Sequence, residues 1–354
     1  MHAHTKLSFP LVALVSITWV FQTTFAQPDT KKSQPDRLDF GLTYVGATIE
    51  GSFRLYQDGD DAASVRVEIE SPEFVKTEII QKGSNTYGRF GTKVHVEVKV
   101  VIDTTEVGDH EGDILATIGG RELSIPVKFK VLMPKEDATR LLVVGSPLHS
   151  TSTSDSSQFD AWRKLVEDSG MEVSCLLVER DKPKISDLDL SRFEVVLLGP
   201  GAVFWLKPPE IARVHDYLLR GGRVVVCANS FFSKTPERAN RITSKYGLEM
   251  EDTEGRGAVA VEVKGELIKE HALTKGIEHL SFFRASPITT KDPMNAKILI
   301  VAPDCEGQGF AAVARAGKGE VVMLGQSLWW NWISEKRAGN SQNSLLLQNL
   351  LTKP

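Results

Sequence analysis

The sequence predicts two folded domains, a β-sandwich followed by a doubly wound α/β domain with a parallel sheet. The chain has 354 residues, more than one hydrophobic core usually organises, and its 41% hydrophobic and 25% charged residues are ordinary for globular proteins. Apolar and polar residues alternate up to about Met133. Beyond a polar linker at 134–138, continuous apolar runs alternate with helical patterns, which indicates a multidomain chain.

The N-terminus has the organisation of a secretory signal peptide over residues 1–26. A short polar start precedes a mostly apolar run, and Thr24 and Ala26 place small residues at the −3 and −1 positions of a cleavage site. A membrane anchor is the alternative, but a spanning helix needs about 20 apolar residues and Pro10 interrupts this shorter run. We therefore expect an exported protein, periplasmic or extracellular, whose mature form begins at Gln27 and does not span a membrane.

The first domain is predicted at 37–133, after a polar leader at 27–36 that contains two prolines and is expected to be flexible. Valines at 94, 96, 98 and 100 alternate with polar residues and share one face of a strand, so His95 is expected on the solvated face. Gly119-Gly120 predicts a two-residue hairpin turn with positive φ. Several short strands separated by turn residues of this kind predict a β-sandwich.

The entry to this domain carries three glycine dipeptides, Phe40-Gly41, Val45-Gly46 and Asp58-Gly59. With these positions the segment resembles the immunoglobulin-like domains of the hydin and spindle-pole type. The resemblance implies an immunoglobulin-like β-sandwich over 37–133. Domains of that type usually act as spacers or interaction modules, so the resemblance implies the fold more than a role.

The second domain is predicted at 139–354, where strands and helices alternate. Strands are expected at RLLVVGS, EVSCLLVER, EVVLLGPG, GGRVVVCANS, AKILIVA and GEVVMLG. Helices are expected at Asp155–Ser169, at Pro208–Leu219 with Leu219 on its apolar face, and at Ser344–Leu351. Strand, helix and strand joined by short connections predict a Rossmann-like doubly wound sheet.

The order of these pieces, among them LLVVGS, VVLLGPG, LRGGRVVVCANSFF and VARAGKGEVVMLGQSLWWNW, spans most of the second domain. In that order they resemble the class I glutamine amidotransferase-like superfamily, especially the branch related to trehalose-utilisation proteins and to auxiliary domains of ABC transport systems. The resemblance implies an amidotransferase-like α/β domain. It also implies where a catalytic site would stand.

Amidotransferases of this class place a nucleophilic Cys in a strand-to-helix turn between glycines, and a His and a Glu after a late strand. Cys227 stands at the nucleophile position, but Val225 and Asn229 occupy the flanking glycine positions and Gln326-Ser327 follows the final strand. A thiol without a base stays mostly protonated and is a poor nucleophile. No catalytic set is therefore predicted, and Cys227 is kept only as a candidate.

Metal, cofactor and nucleic-acid sites are not indicated. Cys175, Cys227 and Cys305 lie in or beside apolar strands and are expected to be buried free thiols, with spacings that fit no zinc site. GPGAVF and GKG lack the spacing of phosphate-binding loops and are predicted to be turns. A net charge of −4 without a dense Lys/Arg run argues against a nucleic-acid partner.

Candidate ligand-binding residues follow the predicted parallel strands, whose carboxyl ends share the edge where open α/β folds bind ligands. They are Ser146, His149, Trp205, Asn229, Trp329 and Trp330. Ser146 and His149 lie in a hydroxyl-rich loop, for which a polar helix-capping loop is the simpler interpretation. Four tryptophans follow predicted strand ends: Trp205, Trp329, Trp330 and Trp332. They form either an aromatic platform for a sugar ring or partner side chain, or core packing under the following helices.

Two function classes follow. We expect an exported, non-catalytic binding or scaffold protein with a degenerate amidotransferase-like domain, which recognises a carbohydrate or a protein partner. The alternative is a hydrolase that acts on a sugar or amide through residues other than Cys227. The incomplete Cys-His-Glu set favours binding.

Overall fold

The computed structural model describes residues 37–59, 61–86, 92–145, 156–178, 185–229, 234–252, 260–326, 332–333 and 339–352. Strands predominate in these ranges. The strands are β1 (Leu38–Tyr44), β2 (Ile49–Asp58), β3 (Val67–Glu70), β4 (Val75–Thr86), β5 (Thr92–Ile102), β6 (Gly108–Ile118), β7 (Arg121–Leu132), β8 (Arg140–Val144), β9 (Glu172–Leu176), β10 (Val195–Leu198), β11 (Arg223–Cys227), β12 (Leu248–Met250), β13 (Ala260–Lys264), β14 (His279–Phe283), β15 (Ile288–Thr290), β16 (Ala296–Val301), β17 (Gly309–Ala316) and β18 (Gly319–Leu324). The α-helices of the described ranges are α1 (Ser156–Ser169), α2 (Pro200–Trp205), α3 (Pro208–Leu219), α4 (Thr235–Thr243) and α5 (Asn343–Leu351).

The largest sheet has twelve strands. Its centre is a parallel run in the order β9-β8-β10-β11-β18. Antiparallel strands extend the run at both ends, with β17, β16, β15 and β12 beyond β18, and β5 and β4 beyond β2, which itself pairs with β9. A four-stranded sheet has the order β1-β7-β6-β3, and β13 pairs with β14.

This architecture overturns the predicted fold class. The structure is dominated by large mixed sheets and is not a Rossmann-like doubly wound α/β domain. After β11 the chain forms α4 and then mainly antiparallel strands, where the prediction requires further strand-helix-strand units. The immunoglobulin-like sandwich is not confirmed either, since β2, β5 and β4 belong to the twelve-stranded sheet. Pairing between distant edge strands, such as β2 with β9, leaves no periodic signal in a sequence.

The junction between β2 and β9 is held by backbone and side-chain hydrogen bonds. The Cys175 amide donates to the Thr48 carbonyl at 2.7 Å. Next to it, the buried Glu50 carboxylate accepts from Lys99 Nζ at 2.7 Å and from the Leu177 amide at 3.1 Å. A buried ion pair is tolerated when further hydrogen bonds satisfy its atoms, and the Leu177 amide supplies one. This pair therefore ties the antiparallel strands to the parallel run.

The core bears out the periodic pattern of β5 with two exceptions, His95 and the Lys99 of the buried ion pair. The four alternating valines at 94–100 are all fully buried, as predicted. His95 is also buried, with only 7% of its surface exposed, so its predicted place on the solvated face is wrong. Gly83 lies opposite on β4 and a Cβ there would come within 2.7 Å of the imidazole, while the Tyr56 ring lies 6.4 Å away. The missing side chain makes room for the ring, and burial lowers the pKa of His95.

Local signals in the sequence fix several elements correctly. Gly119 and Gly120 have φ values of +57° and +80° and form the turn between β6 and β7. The helix α3 has the predicted bounds, with Pro208 in its first turn, although Leu219 is 49% exposed and does not join the apolar face. The helix α1 ends at Ser169 as predicted, and Gly170 follows it with a φ of +65°.

The described residues belong to one compact unit that begins at Gln34. The predicted linker at 134–138 lies between β7 and β8. The domain boundaries at 37–133 and 139–354 stay predictions. In the described ranges, no helix combines the length and the apolar character that crossing a bilayer requires.

Candidate functional site

Four parallel strands of the central run end side by side. Their last aligned residues are Val144 in β8, Leu198 in β10, Val226 in β11 and Met323 in β18. The residues that follow these strands line one border of the sheet, which we call the carboxyl edge. Two candidate residues of the sequence, Trp205 and Asn229, belong to described segments that follow strands at this edge.

Two glycines close the part of the carboxyl edge between β8 and β10. Gly145 has a φ of +66°, and a Cβ there would lie 2.1 Å from the Ala202 amide nitrogen. The Gly201 amide donates to the Gly145 carbonyl at 3.1 Å. The first turn of α2 thus packs backbone to backbone against the end of β8, which only glycine permits. GPGAVF, predicted to be a turn, instead forms most of α2.

Asn229 is the distinctive polar residue of this edge. It lies two residues beyond β11 and is fully buried, yet neither Oδ1 nor Nδ2 has a hydrogen-bond partner among the described residues. Thr235 lies in the first turn of α4 and is 1% exposed, and its buried hydroxyl also lacks a hydrogen-bond partner among the described residues. Burying such a group without a partner costs about 1–3 kcal/mol. The two side chains offer polar atoms to which a ligand can hydrogen-bond.

Aromatic rings and a guanidinium lie where α2 meets α4. The rings of Phe204 and Trp205 pack edge to face with centroids 4.7 Å apart, and Trp205 is 36% exposed. The Arg238 guanidinium lies 4.5 Å from the Phe204 ring centroid, and its Nη1 donates to the Phe204 carbonyl at 3.0 Å. Arg238 and Thr235 are three residues apart and share a face of α4. The structure therefore brings an exposed indole, a cation and an unpartnered hydroxyl to neighbouring segments of this edge.

Cys227 is placed where it cannot act as a nucleophile. It is the last residue of β11, is fully buried and packs in an apolar cluster with residues such as Val225 and Leu324. Burial raises the pKa of its thiol. The thiol is therefore neutral at physiological pH and is a poor nucleophile. Gln326, at the position where the amidotransferase pattern has a base, accepts a hydrogen bond from the Phe283 amide at 2.9 Å.

Three described histidines have structural partners away from Cys227. His215 on α3 shares a hydrogen bond of 2.9 Å with the Tyr246 hydroxyl, and burial together with the Lys245 charge lowers its pKa. His271 accepts from the Leu273 amide, and His279 is bonded to Glu262 across the β13–β14 pair. In the part of the chain that the structure describes, no group of His, Cys, Asp and Glu is arranged to hold a metal ion.

Four of the six predicted ligand-binding residues, Ser146, His149, Trp329 and Trp330, lie outside the described residues. The other two, Trp205 and Asn229, are placed at the carboxyl edge. Trp332, which also follows a strand, is 3% exposed and donates from Nε1 to the Ser281 carbonyl at 2.7 Å, so it belongs to the core. The sequence reasoning missed Thr235 and Arg238, although a Thr-Pro helix start in the segment after an apolar strand is a local signal for residues at this edge.

Comparison with known proteins gives structural likeness only. No family model matches the chain, and no curated protein matches it. Among solved structures, a cytoplasmic protein from Salmonella typhimurium LT2 is similar at 14% identity with a TM-score of 0.45, over 60% of this chain and 98% of that one. A ThuA-like protein from Parabacteroides merdae ATCC 43184 is similar at 18% identity with a TM-score of 0.36, over 60% of this chain and 88% of that one. A ThuA-like protein from Bacteroides uniformis ATCC 8492 is similar at 12% identity with a TM-score of 0.37, over 61% of this chain and 92% of that one.

Proposed function

We propose that this chain is an exported, non-catalytic binding protein that holds a carbohydrate at the carboxyl edge. The observation that carries the proposal is Asn229, a fully buried amide with no hydrogen-bond partner for either polar atom among the described residues. A protein that keeps such a group at the end of a central strand sacrifices stability there. Binding a ligand that satisfies the amide recovers the lost hydrogen bonds.

The chemistry of the edge favours a sugar. An amide donates through nitrogen and accepts through oxygen, so it matches two neighbouring hydroxyls that each donate and accept. The Thr235 hydroxyl adds a third polar group of the same neutral kind. Trp205 presents an exposed indole, and aromatic faces with a polar atom at the rim suit ligands that have both apolar and polar surfaces. These three groups are uncharged and match a neutral carbohydrate, while the neighbouring Arg238 guanidinium is bound to the Phe204 carbonyl.

A hydrolase is the competing function. The burial of Cys227 and its raised pKa argue against thiol catalysis at the amidotransferase position. Hydrolysis through other residues is an outcome that the binding experiment detects, since a substrate would be consumed during the titration.

The test is a titration of tryptophan fluorescence with neutral mono- and disaccharides. We expect at least one sugar to change the emission in a saturable way, and we expect Trp205→Ala and Asn229→Leu to weaken its binding by about tenfold or more, the effect of losing a buried hydrogen bond or a stacked ring. The matched control is Asn349→Leu on α5, where the amide donates to the Lys275 carbonyl and no sugar contact is expected. If no sugar perturbs the wild-type protein, or if Asn229→Leu binds as well as wild type, the proposal is wrong.

Export is part of the same proposal and rests on the signal-like pattern of residues 1–26, which lie outside the described residues. N-terminal sequencing of the protein from its native host should give Gln27 as the first residue. Retention of Met1 in a membrane fraction would show an anchor instead.

A further inference from the structure

A concave surface lies at the opposite ends of the same strands, where β10, β11 and β18 begin. It is a cleft of about 740 Å³, a volume in the range of small-molecule sites. Its walls are the segment before β10, the exposed side of α3 and two glycine turns, at Gly221-Gly222 and Gly317–Gly319. The five residues of β11, about 13 Å of strand, separate this amino-edge cleft from the carboxyl edge.

The cations of the amino-edge cleft exceed its anions. Four basic side chains line it and have no ion pair with any described residue: Arg213, Arg220, Arg315 and Lys318. Arg213 donates from Nη2 to the Leu188 carbonyl at 3.2 Å, while its Nε is buried without a hydrogen-bond partner in the described part of the chain. Such an N–H group is a donor available to a bound anion.

The carboxylates of the cleft are mostly engaged. Glu194 pairs with Arg140 at 2.6 Å, and Glu320 pairs with Arg223. Asp189 accepts hydrogen bonds from the Ser191 amide and hydroxyl. With Asp216, four carboxylates line the cleft against five cations, an excess of one positive charge. Arg140, which pairs with Glu194 from outside the lining, brings the excess to two positive charges.

The two glycine turns that carry some of these cations pack closely against each other through their backbones. A Cβ on Gly319 would lie 2.1 Å from the Gly222 carbonyl oxygen, so the two turns pack directly against each other. A Cβ on Gly221 would lie 3.8 Å from the Lys318 Cβ, which places Lys318 beside the turn that carries Arg220. Arg315 stands opposite Glu320 in the β17–β18 ladder, but that carboxylate is bound to Arg223. Arg220, Arg315 and Lys318 are exposed and converge on one cleft.

We propose that the amino-edge cleft binds a small molecule that carries at least two oxyanion groups. Guanidinium groups bind phosphate and carboxylate oxygens through paired N–H donors, and a dianion balances the excess charge of the site. A cleft of this volume suits a small molecule, whereas a nucleic acid requires a basic stripe that a chain of net charge −4 does not suggest. This site is independent of the carbohydrate proposal because it uses other residues at the other end of the sheet.

The experiment is calorimetric titration of the full chain with inorganic pyrophosphate and, in a second arm, with citrate, both at low ionic strength. We expect saturable binding of one equivalent in at least one arm, and the arm that binds more tightly identifies phosphoryl or carboxylate chemistry. The double variant Arg220→Ala/Arg315→Ala and the single variant Lys318→Ala should each bind the anion more weakly, by about tenfold or more for each charge removed. Added salt should weaken it further.

Two controls make the result decisive. Lys128→Ala removes an exposed lysine of β7 outside the cleft and should bind as wild type does. Asn229→Leu should also leave anion binding unchanged, which separates this site from the carboxyl edge. The proposal is overturned if neither anion binds, or if the Arg220/Arg315 and Lys318 variants bind with the affinity of the wild-type protein.

Discussion

Replacing each of two fully buried asparagines by leucine, which has nearly the same shape, should change stability in opposite directions. Asn343 has all the partners that Asn229 lacks. Its Oδ1 accepts from the Ser281 amide at 3.1 Å, and its Nδ2 donates to the carbonyls of Ser281 at 2.9 Å and of Trp332 at 2.8 Å. Neither Oδ1 nor Nδ2 of Asn229 has a hydrogen-bond partner among the described residues. The pair therefore isolates hydrogen bonding from burial.

The magnitudes follow from these contacts. Asn343→Leu removes three hydrogen bonds of about 1 kcal/mol each and leaves the Ser281 amide buried without a partner, so a loss of about 3–5 kcal/mol is expected. Asn229→Leu removes an amide whose burial without a partner costs about 1–3 kcal/mol, so the free energy of unfolding should rise by up to that amount. Urea unfolding of both variants and wild type, without ligand, measures the two changes. If Asn229→Leu destabilises the protein as much as Asn343→Leu, the amide is satisfied within the protein and the reasoning for a binding site there fails.

Three further changes test the fold and the site. Glu50→Gln, which removes the charge that balances the buried Lys99, should cost about 3–5 kcal/mol in urea unfolding, whereas Arg54→Met at a half-exposed pair should cost about 1 kcal/mol or less; equal losses would contradict the role of the buried pair. Gly145→Ala should be far more destabilising in thermal unfolding than Gly120→Ala, because both have positive φ but only Gly145 lies against backbone; similar melting temperatures would refute this packing. Cys227 should resist alkylation by a maleimide in the native protein and react once the protein is unfolded, and rapid native labelling would show an accessible thiol.

The elements that the sequence predicts well are those with strong local signals. The strands β8, β10 and β11 are continuous apolar runs, and α3 has an amphipathic repeat with Pro208 at its start and Gly221 shortly after its end. The Gly119-Gly120 turn is specified by two residues that accept positive φ. In each case the structure is decided by neighbours in the chain, so one sequence suffices.

The predicted fold class is wrong because the sheet topology depends on pairing between segments that are far apart in the sequence. The parallel pairing of β2 with β9 joins residues far apart in the sequence, and the edge strands carry no mark of their partner. The antiparallel extension from β15 to β17 likewise depends on register between separate segments. His95 is buried because Gly83 lies opposite it, a relation that only the pairing of β4 with β5 creates.

Only the features of the candidate site that depend on strand ends could be predicted from the sequence. Strand ends are visible in the sequence, so Trp205 and Asn229 could be assigned to segments that follow strands, and their role in binding stays a prediction. That Asn229 is fully buried and unpartnered depends on tertiary packing and is visible only in the structure. The cations of the amino-edge cleft come from a helix end, a strand and a hairpin, and no sequence spacing brings them together.

The most direct test of the central claim is a binding isotherm of the best carbohydrate ligand to wild type and to Asn229→Leu, with the sugar analysed by chromatography after the titration. The account predicts that wild type binds and returns the sugar intact, and that the variant is folded, at least as stable, and binds about tenfold more weakly or worse. Equal affinity in the two proteins, or cleavage of the sugar by wild type, would contradict the claim that this edge is a non-catalytic carbohydrate site.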